Sequence, residues 1–186
     1  MILALFGCAS RVAVGDGLLA DVPAPEAYDA AVRAATRELR LYTDGLSTAL
    51  LLRAAWLDPD FRRAQEALRA HLFLLDAPTR AARLDASLAE EQAHYVFVVA
   101  ADSQWRDELN LAFDDSTPWR IRAFAGGRAC TPEAVQTLEP TPTDHQLYPF
   151  LDRWSHSWTV RFARDCGDGP LVLQLAGPRG AGEVGW

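Results

Sequence analysis

Tyr95-Val-Phe-Val-Val-Ala-Ala101 is the stretch whose reading decides the fold. It is a continuous apolar run, β-branched and aromatic, bounded by polar residues and too short for an ordinary helix, so it reads as a strand. A strand with one wet face alternates between apolar and polar residues, and this one does not alternate, so both of its faces are buried. One face is expected against a partner sheet and the other under helices.

The chain after this stretch is β-like. Trp119-Arg-Ile-Arg-Ala-Phe124 ends at Gly126-Gly127, and Ala134 to Glu139 is a shorter candidate followed by Pro140, Pro142 and a polar loop. From Arg153 to Arg164 the residues alternate, with Trp154, His156, Trp158, Val160 and Phe162 on one face. Arg153, Ser155, Ser157, Thr159 and Arg161 fall on the other. Gly167 to Gly169 turns the chain into Leu171-Val-Leu-Gln-Leu-Ala176, and Gly177-Pro-Arg-Gly180 turns it into a last strand ending in Val184 and Trp186. About six short strands separated by Gly and Pro turns imply an antiparallel β-sandwich over residues 93–186. An immunoglobulin-like sandwich is one form of it, although the Cys…Trp…Cys spacing of a true immunoglobulin domain is absent.

The chain before the stretch has helical periodicity. Tyr28, Val32, Ala35, Leu39, Tyr42, Leu46, Ala49 and Trp56 recur at spacings of three and four, apart from a gap at Arg53, which predicts one long helix opened by Pro25. Asp44-Gly45 interrupts that pattern. Either the helix continues, with Gly45 allowing a close contact, or it breaks at this turn-forming pair. Asp58-Pro59 predicts a second helix with the stripe Phe61, Ala64, Leu68, Leu72 and Leu75. A third runs from Pro78 to about Gln92 with Ala81, Leu84 and Leu88 inward. The expected fold is therefore α+β: an antiparallel segment of about three helices over 26–92, packed on the sandwich.

Composition narrows the function. The 186 residues are 49% hydrophobic and 23% charged, which are globular proportions. All 18 basic residues are arginine, and the net charge of −7 argues against a groove that tracks nucleic-acid phosphates. After the first residues, no stretch offers the roughly 20 apolar residues of a spanning helix.

The chain begins Met1-Ile-Leu-Ala-Leu-Phe-Gly-Cys-Ala-Ser10, and its Leu5-Phe6-Gly7-Cys8 resembles the lipobox of bacterial lipoproteins. In that family a leucine stands three residues before the modified cysteine and a small residue stands just before it. The resemblance implies a diacylglycerol on Cys8 as the membrane attachment, removal of residues 1–7, and a tether over 9–25 in front of the folded part. It also implies a cell-envelope protein. Ala9, where an aspartate would mark inner-membrane retention, points to the outer membrane. No basic residue precedes Cys8, and Phe6 is bulkier than usual; an upstream start, with Met1 internal, accounts for the short leader. The alternative is that Ile2 to Phe6 is a short buried strand and Cys8 a core cysteine. With Cys8 lipidated, Cys130 and Cys166 remain as an even pair, either bridged across 36 residues or two unrelated thiols.

Few residues suggest chemistry. Glu91-x-x-His94 has the spacing of a di-metal helix motif, but it occurs once; a solvated helix end also explains it. His156, between Trp154 and Trp158 on the apolar face, is either a core histidine satisfied by backbone or Asp152, or part of an aromatic ligand pocket. Tyr148, Phe150, Trp154 and Trp158 are either packing residues or a saccharide or peptide platform. Ser155 and His156 point to opposite faces and form no nucleophile–base pair. Asp102, Asp114 and Asp115 read as solvated loop acids, without the spacing of a calcium loop. No catalytic residue, cofactor or metal ligand is assigned. Three functions fit: a non-enzymatic envelope lipoprotein that scaffolds or binds another envelope protein; a small-ligand or saccharide-binding module using His156 and the tryptophans; and a hydrolase with a dispersed site.

Overall fold

The computed structural model describes residues 25–43, 47–105, 109 and 117–186. Cys8, Asp114 and Asp115 lie outside the described residues. Among the described residues the architecture is α+β, with four helices and two antiparallel sheets. The strand read from Tyr95–Ala101 is β3 (His94–Asp102), the central strand of a five-stranded sheet ordered β1-β2-β3-β7-β6. Its neighbours there are β1 (Thr36–Thr43), β2 (Ser47–Trp56), β6 (Ala134–Thr137) and β7 (His156–Ala163). The second sheet is ordered β5-β4-β8-β9, from β4 (Arg120–Ala125), β5 (Arg128–Cys130), β8 (Leu171–Gly177) and β9 (Gly180–Gly185).

Both faces of β3 are buried, as expected from its unbroken apolar run. Tyr95, Phe97, Val99 and Ala101 join Ile121 and Ala123 of β4 and Leu171, Leu173 and Leu175 of β8 in one core between the sheets. Val96, Val98 and Ala100 point the other way, into a second core with Tyr28, Leu57, Phe61, Leu147 and Tyr148. The five-stranded sheet is thus the middle layer, with the smaller sheet on one side and helices on the other.

The largest departure from the expected fold is at residues 36–56. The helix opened by Pro25 ends after eleven residues as α1 (Pro25–Ala35), and the following residues form the antiparallel pair β1 and β2, Thr36 opposite Ala55 and Thr43 opposite Ser47. The helical segment therefore does not extend continuously over 26–92. Two β features outweigh the helical spacing. In β1, Leu39 and Leu41 face the inter-sheet core while Glu38, Arg40 and Tyr42 are exposed. In β2, Leu50, Leu52 and Ala54 face that core and Ala55 the other, so a central strand shows no alternation. Asp44 and Gly45, which follow β1 in sequence, lie outside the described residues.

The next two helices begin where expected, but the first, α2 (Pro59–Leu72), ends at Leu72, which is exposed, so Leu75 of the expected stripe falls beyond the helix. In α2, Asp58 caps the start by accepting from the Phe61 backbone N–H at 2.7 Å. In α3 (Ala77–Ala93), Asp76 does the same for Thr79 at 2.9 Å. The inward stripe of α3 is not as expected: Ala81 is exposed, Leu84 and Leu88 are half-buried, and Glu91 is its one buried residue. α3 lies over α2 rather than over the sheet, which leaves it little apolar surface to cover. A fourth helix, α4 (Pro142–Leu147), forms where a polar loop was read, capped reciprocally by Thr141 and Asp144. Among the described residues, no helix is long and apolar enough to cross a membrane.

Cys130, at the end of β5, is bonded to Cys166, in the 3-10 turn that carries β7 over to β8; their Cα atoms are 5.9 Å apart. Close by, Gly126 turns β4 into β5 with φ of +55°, and a Cβ there would strike the Asp168 carbonyl oxygen.

Candidate functional site

The aromatic pocket around His156 is not formed. β7 begins at His156, so Trp154 lies outside the strand, 55% exposed, with the Arg153 guanidinium 4.4 Å from its ring centre. His156 is exposed and stacks on Trp158 at 6.0 Å, while Trp158 is buried in the inter-sheet core. Asp152 does not serve His156. Its Oδ1 accepts from the Trp154 and Ser155 backbone N–H groups and from the Ser155 hydroxyl, and Oδ2 faces Arg53 at 3.5 Å. Tyr148 and Phe150 pack at 6.1 Å on the helix side of the middle sheet, opposite Trp158, so the four aromatics share no platform.

The Glu91-x-x-His94 pair is divided between two structural contacts. Glu91 pairs with Arg164 at 3.0 Å, and the Arg164 guanidinium lies 4.1 Å from the Tyr95 ring centre. His94 faces Glu133 at 3.3 Å. Among the described residues, no group of three or more His, Cys, Asp or Glu side chains could hold a metal ion.

The structure concentrates buried polar groups elsewhere, in a cleft of about 480 Å³ between α2 and α3, floored by Leu57 and Tyr148. Such a volume falls within the roughly 300–1,000 Å³ of small-molecule sites. Arg62, Gln65 and Glu66 project into it from α2, and all three are buried. The Arg62 side chain is only 3% exposed. Its Nε donates to the Leu57 carbonyl at 2.8 Å, and its Nη1 donates to Ser87 Oγ and Glu90 Oε2, both at 3.0 Å. Glu90 also accepts from Arg161 Nε of β7 at 3.0 Å. At the other end, Glu66 accepts from Arg83 Nε at 3.0 Å and faces Arg69 at 3.8 Å.

Arg62 Nη2 is buried without a hydrogen-bond partner, and Arg69 Nε faces Glu66 at 3.8 Å. The Gln65 side chain is hydrogen-bonded to the hydroxyls of Tyr28 and Tyr148. Tyr28 also donates to the Leu147 carbonyl at 2.7 Å. Burial pushes both tyrosine hydroxyls above the usual value of 10.0, so both are neutral donors at physiological pH. Burial would raise the Glu90 carboxyl as well, but the hydrogen bonds and charges of Arg62 and Arg161 outweigh it and hold Glu90 below its ordinary 4.5. Both carboxylates of the cleft are thus occupied by arginines.

Glu90 joins α2, α3 and β7, and the sign of its shift sets a pH dependence. A depressed carboxyl contributes stability above its unfolded value, and that contribution is lost as pH falls through the folded value. The urea midpoint of the wild-type chain is expected to drop between pH 5 and pH 3 more steeply than that of Glu90→Gln. Parallel curves would show that the Arg62–Glu90–Arg161 bridge does not contribute.

The sequence analysis missed this site because it followed only the apolar stripe of α2 and gave Arg62, Gln65 and Glu66 no role. A signal was present: Arg62, Gln65, Glu66 and Arg69 recur at helical spacing, and Arg83, Ser87 and Glu90 do so on α3. Two facing polar stripes, each with both signs of charge, mark helices that pack through polar residues.

No family model matches this chain, and no curated protein does. Among solved structures, it is similar to a novel protein of unknown function from Burkholderia pseudomallei K96243, at 16% identity and a TM-score of 0.44. That match covers 86% of this chain and 83% of the other.

Proposed function

We propose that this chain is a non-enzymatic lipoprotein of the bacterial cell envelope, anchored to the outer membrane through lipid on Cys8. There it serves as a binding or scaffold module for another envelope component. The observation that carries this is the Cys130–Cys166 bond. Disulfides persist in oxidising compartments and are rare in the cytosol. The lipobox-like start and the acidic balance, which disfavours nucleic acid, agree with it. We read the two sheets as a β-sandwich, immunoglobulin-like in the broad sense of two antiparallel layers around one core. The test is metabolic labelling with palmitate in a bacterial host, using the chain together with its genomic upstream sequence. Label is expected on the wild type and not on Cys8→Ser. An unlabelled wild type, or equal labelling of both, overturns the anchor.

A second reading has its own support. The volume and charged lining of the α2–α3 cleft favour a small-ligand-binding module, with the binding groups there and not at His156, Trp154 and Trp158.

A further inference from the structure

We infer that the turn Leu72-Phe73-Leu74, at the C-terminal end of α2, inserts its side chains into the surface of a phospholipid bilayer. This rests on the envelope reading for its setting and is tested apart from the lipid on Cys8.

The turn combines two features that folding alone does not favour. Leu72, Phe73 and Leu74 are 41%, 56% and 69% exposed, three large apolar side chains in succession. Leu74 also stands in the left-handed region, at φ of +50°. The end of α2 is a Schellman motif: the Leu75 backbone N–H donates to the Ala70 carbonyl at 2.9 Å, and that of Leu74 to the His71 carbonyl at 3.3 Å. Glycine is the usual residue at the Leu74 position, because a Cβ there carries a conformational cost. The inward apolar contact of such an end belongs to the next residue, here the half-buried Leu75, so the Leu74 side chain is not needed to close the helix. Backbone strain at an exposed apolar residue points to a use outside the fold.

Area and position select the occupant. Three side chains about half exposed offer on the order of 300 Å², well short of the roughly 800 Å² per partner that a stable protein interface buries. A second copy or a folded partner needs more surface than this. An apolar tip held beside a bilayer by a tether does not, because attachment raises its local concentration. The three residues carry no charge, and the net charge of −7 opposes attraction to anionic headgroups, so the contact is apolar and not electrostatic. The chain also enters the fold near this end of α2. Tyr28, in the first turn of α1, is hydrogen-bonded through its hydroxyl to Gln65. Gln65 is eight residues before Phe73, about 12 Å along the helix axis. The 16 residues between Cys8 and Pro25 reach at most about 55 Å, so a lipid on Cys8 leaves the turn within range of the same surface.

Cys8 is the one cysteine outside the Cys130–Cys166 bond, so its thiol can be coupled to a maleimide phospholipid whatever its fate in the cell. The measurement is tryptophan fluorescence of the full chain attached in this way to phosphatidylcholine vesicles, with plain or brominated acyl chains. The emission that Phe73→Trp adds to the wild-type background is expected to fall about twofold or more on the brominated vesicles, since an inserted side chain lies roughly 5–10 Å deep. Arg40→Trp, on the exposed edge strand, is expected to keep its emission. Leu74→Gly is expected to show an opposed pair of effects: a thermal midpoint in solution higher by about 2 °C, and weaker quenching when combined with Phe73→Trp. Equal emission of Phe73→Trp on both kinds of vesicle would overturn the insertion, as would equal quenching of Arg40→Trp. A lower midpoint for Leu74→Gly would make Leu74 a structural residue and overturn it too. A dimer of the unattached chain that Leu74→Gly dissociates, seen by sedimentation, would replace the bilayer by a second copy. Palmitate labelling without quenching removes the insertion and keeps the anchor; quenching without labelling removes the anchor and keeps the insertion.

Discussion

Phe97→Ala is expected to destabilise the protein by about 3–5 kcal/mol, the usual cost of emptying a buried phenylalanine site. For a chain of this length that is a fall of roughly 10 °C or more in thermal midpoint. Phe97 is fully buried at the centre of β3, paired with Trp56 of β2 and Val160 of β7. Its ring meets Phe162 at 5.8 Å and Trp186 at 5.3 Å. Trp186 in turn donates its indole N–H to the Ala35 carbonyl at 2.6 Å and its backbone N–H to Leu171, so it ties the end of α1 to β8. Neighbours held from both layers cannot collapse into the space left by the ring, which places the cost toward the upper end. Urea denaturation with an unchanged slope and a lower midpoint is the expected signature. A loss below about 1 kcal/mol would mean that the core between the sheets does not depend on this face of β3.

The second large effect is at the disulfide. Converting both Cys130 and Cys166 to serine is expected to cost about 3–4 kcal/mol from the 36-residue separation, by the loop-entropy argument. The effect is expected to be local as well as global. β5 has three residues and pairs with β4 alone, at the edge of the smaller sheet. The bond to the β7–β8 crossover holds that short edge to the sheet. Amide exchange in 128–130 is therefore expected to quicken more than in β8. An identical midpoint for reduced and oxidised protein, with the free thiols counted, would remove the bond from the stabilising interactions. It would also weaken the case for an oxidising compartment.

The parts of the fold that were legible from sequence are those in which local pattern and tertiary environment agree. β3 was legible because a run without polar residues has only one solution, burial on both sides. α2 was legible from its capping aspartate, since a cap is a contact between residues three apart, and α3 from Pro78 near its start. β4, β8 and the turn at Gly126-Gly127 were legible from punctuation by glycine. The hairpin over 36–56 was not, because alanine and leucine favour helices intrinsically and spacings of three and four arose by coincidence. Alternation in Thr36–Thr43 and the Asp44-Gly45 pair both pointed to a hairpin. They were outweighed by a periodicity that tertiary packing overrode.

The candidate site was less legible for a related reason. An amphipathic pattern assumes that polar residues face water, and that holds only when nothing covers them. Here α3 covers α2, so Arg62, Gln65 and Glu66 are polar by residue type and buried by position. In the other direction, alternation placed His156 on an apolar face correctly, but its position at the first residue of β7 leaves it in solvent. Strand pattern specifies the side, not the depth.

By itself, then, the sequence determined the buried central strand, the starts of α2 and α3, and the α+β class. Each follows from contacts within a few residues or from residue chemistry. Only the tertiary structure decided that 36–56 is a hairpin, that Cys130 meets Cys166, and that a charged cleft lies under α3. Each of those depends on which distant surface covers a residue, and burial converts an ordinary arginine or glutamine into a group that requires a partner.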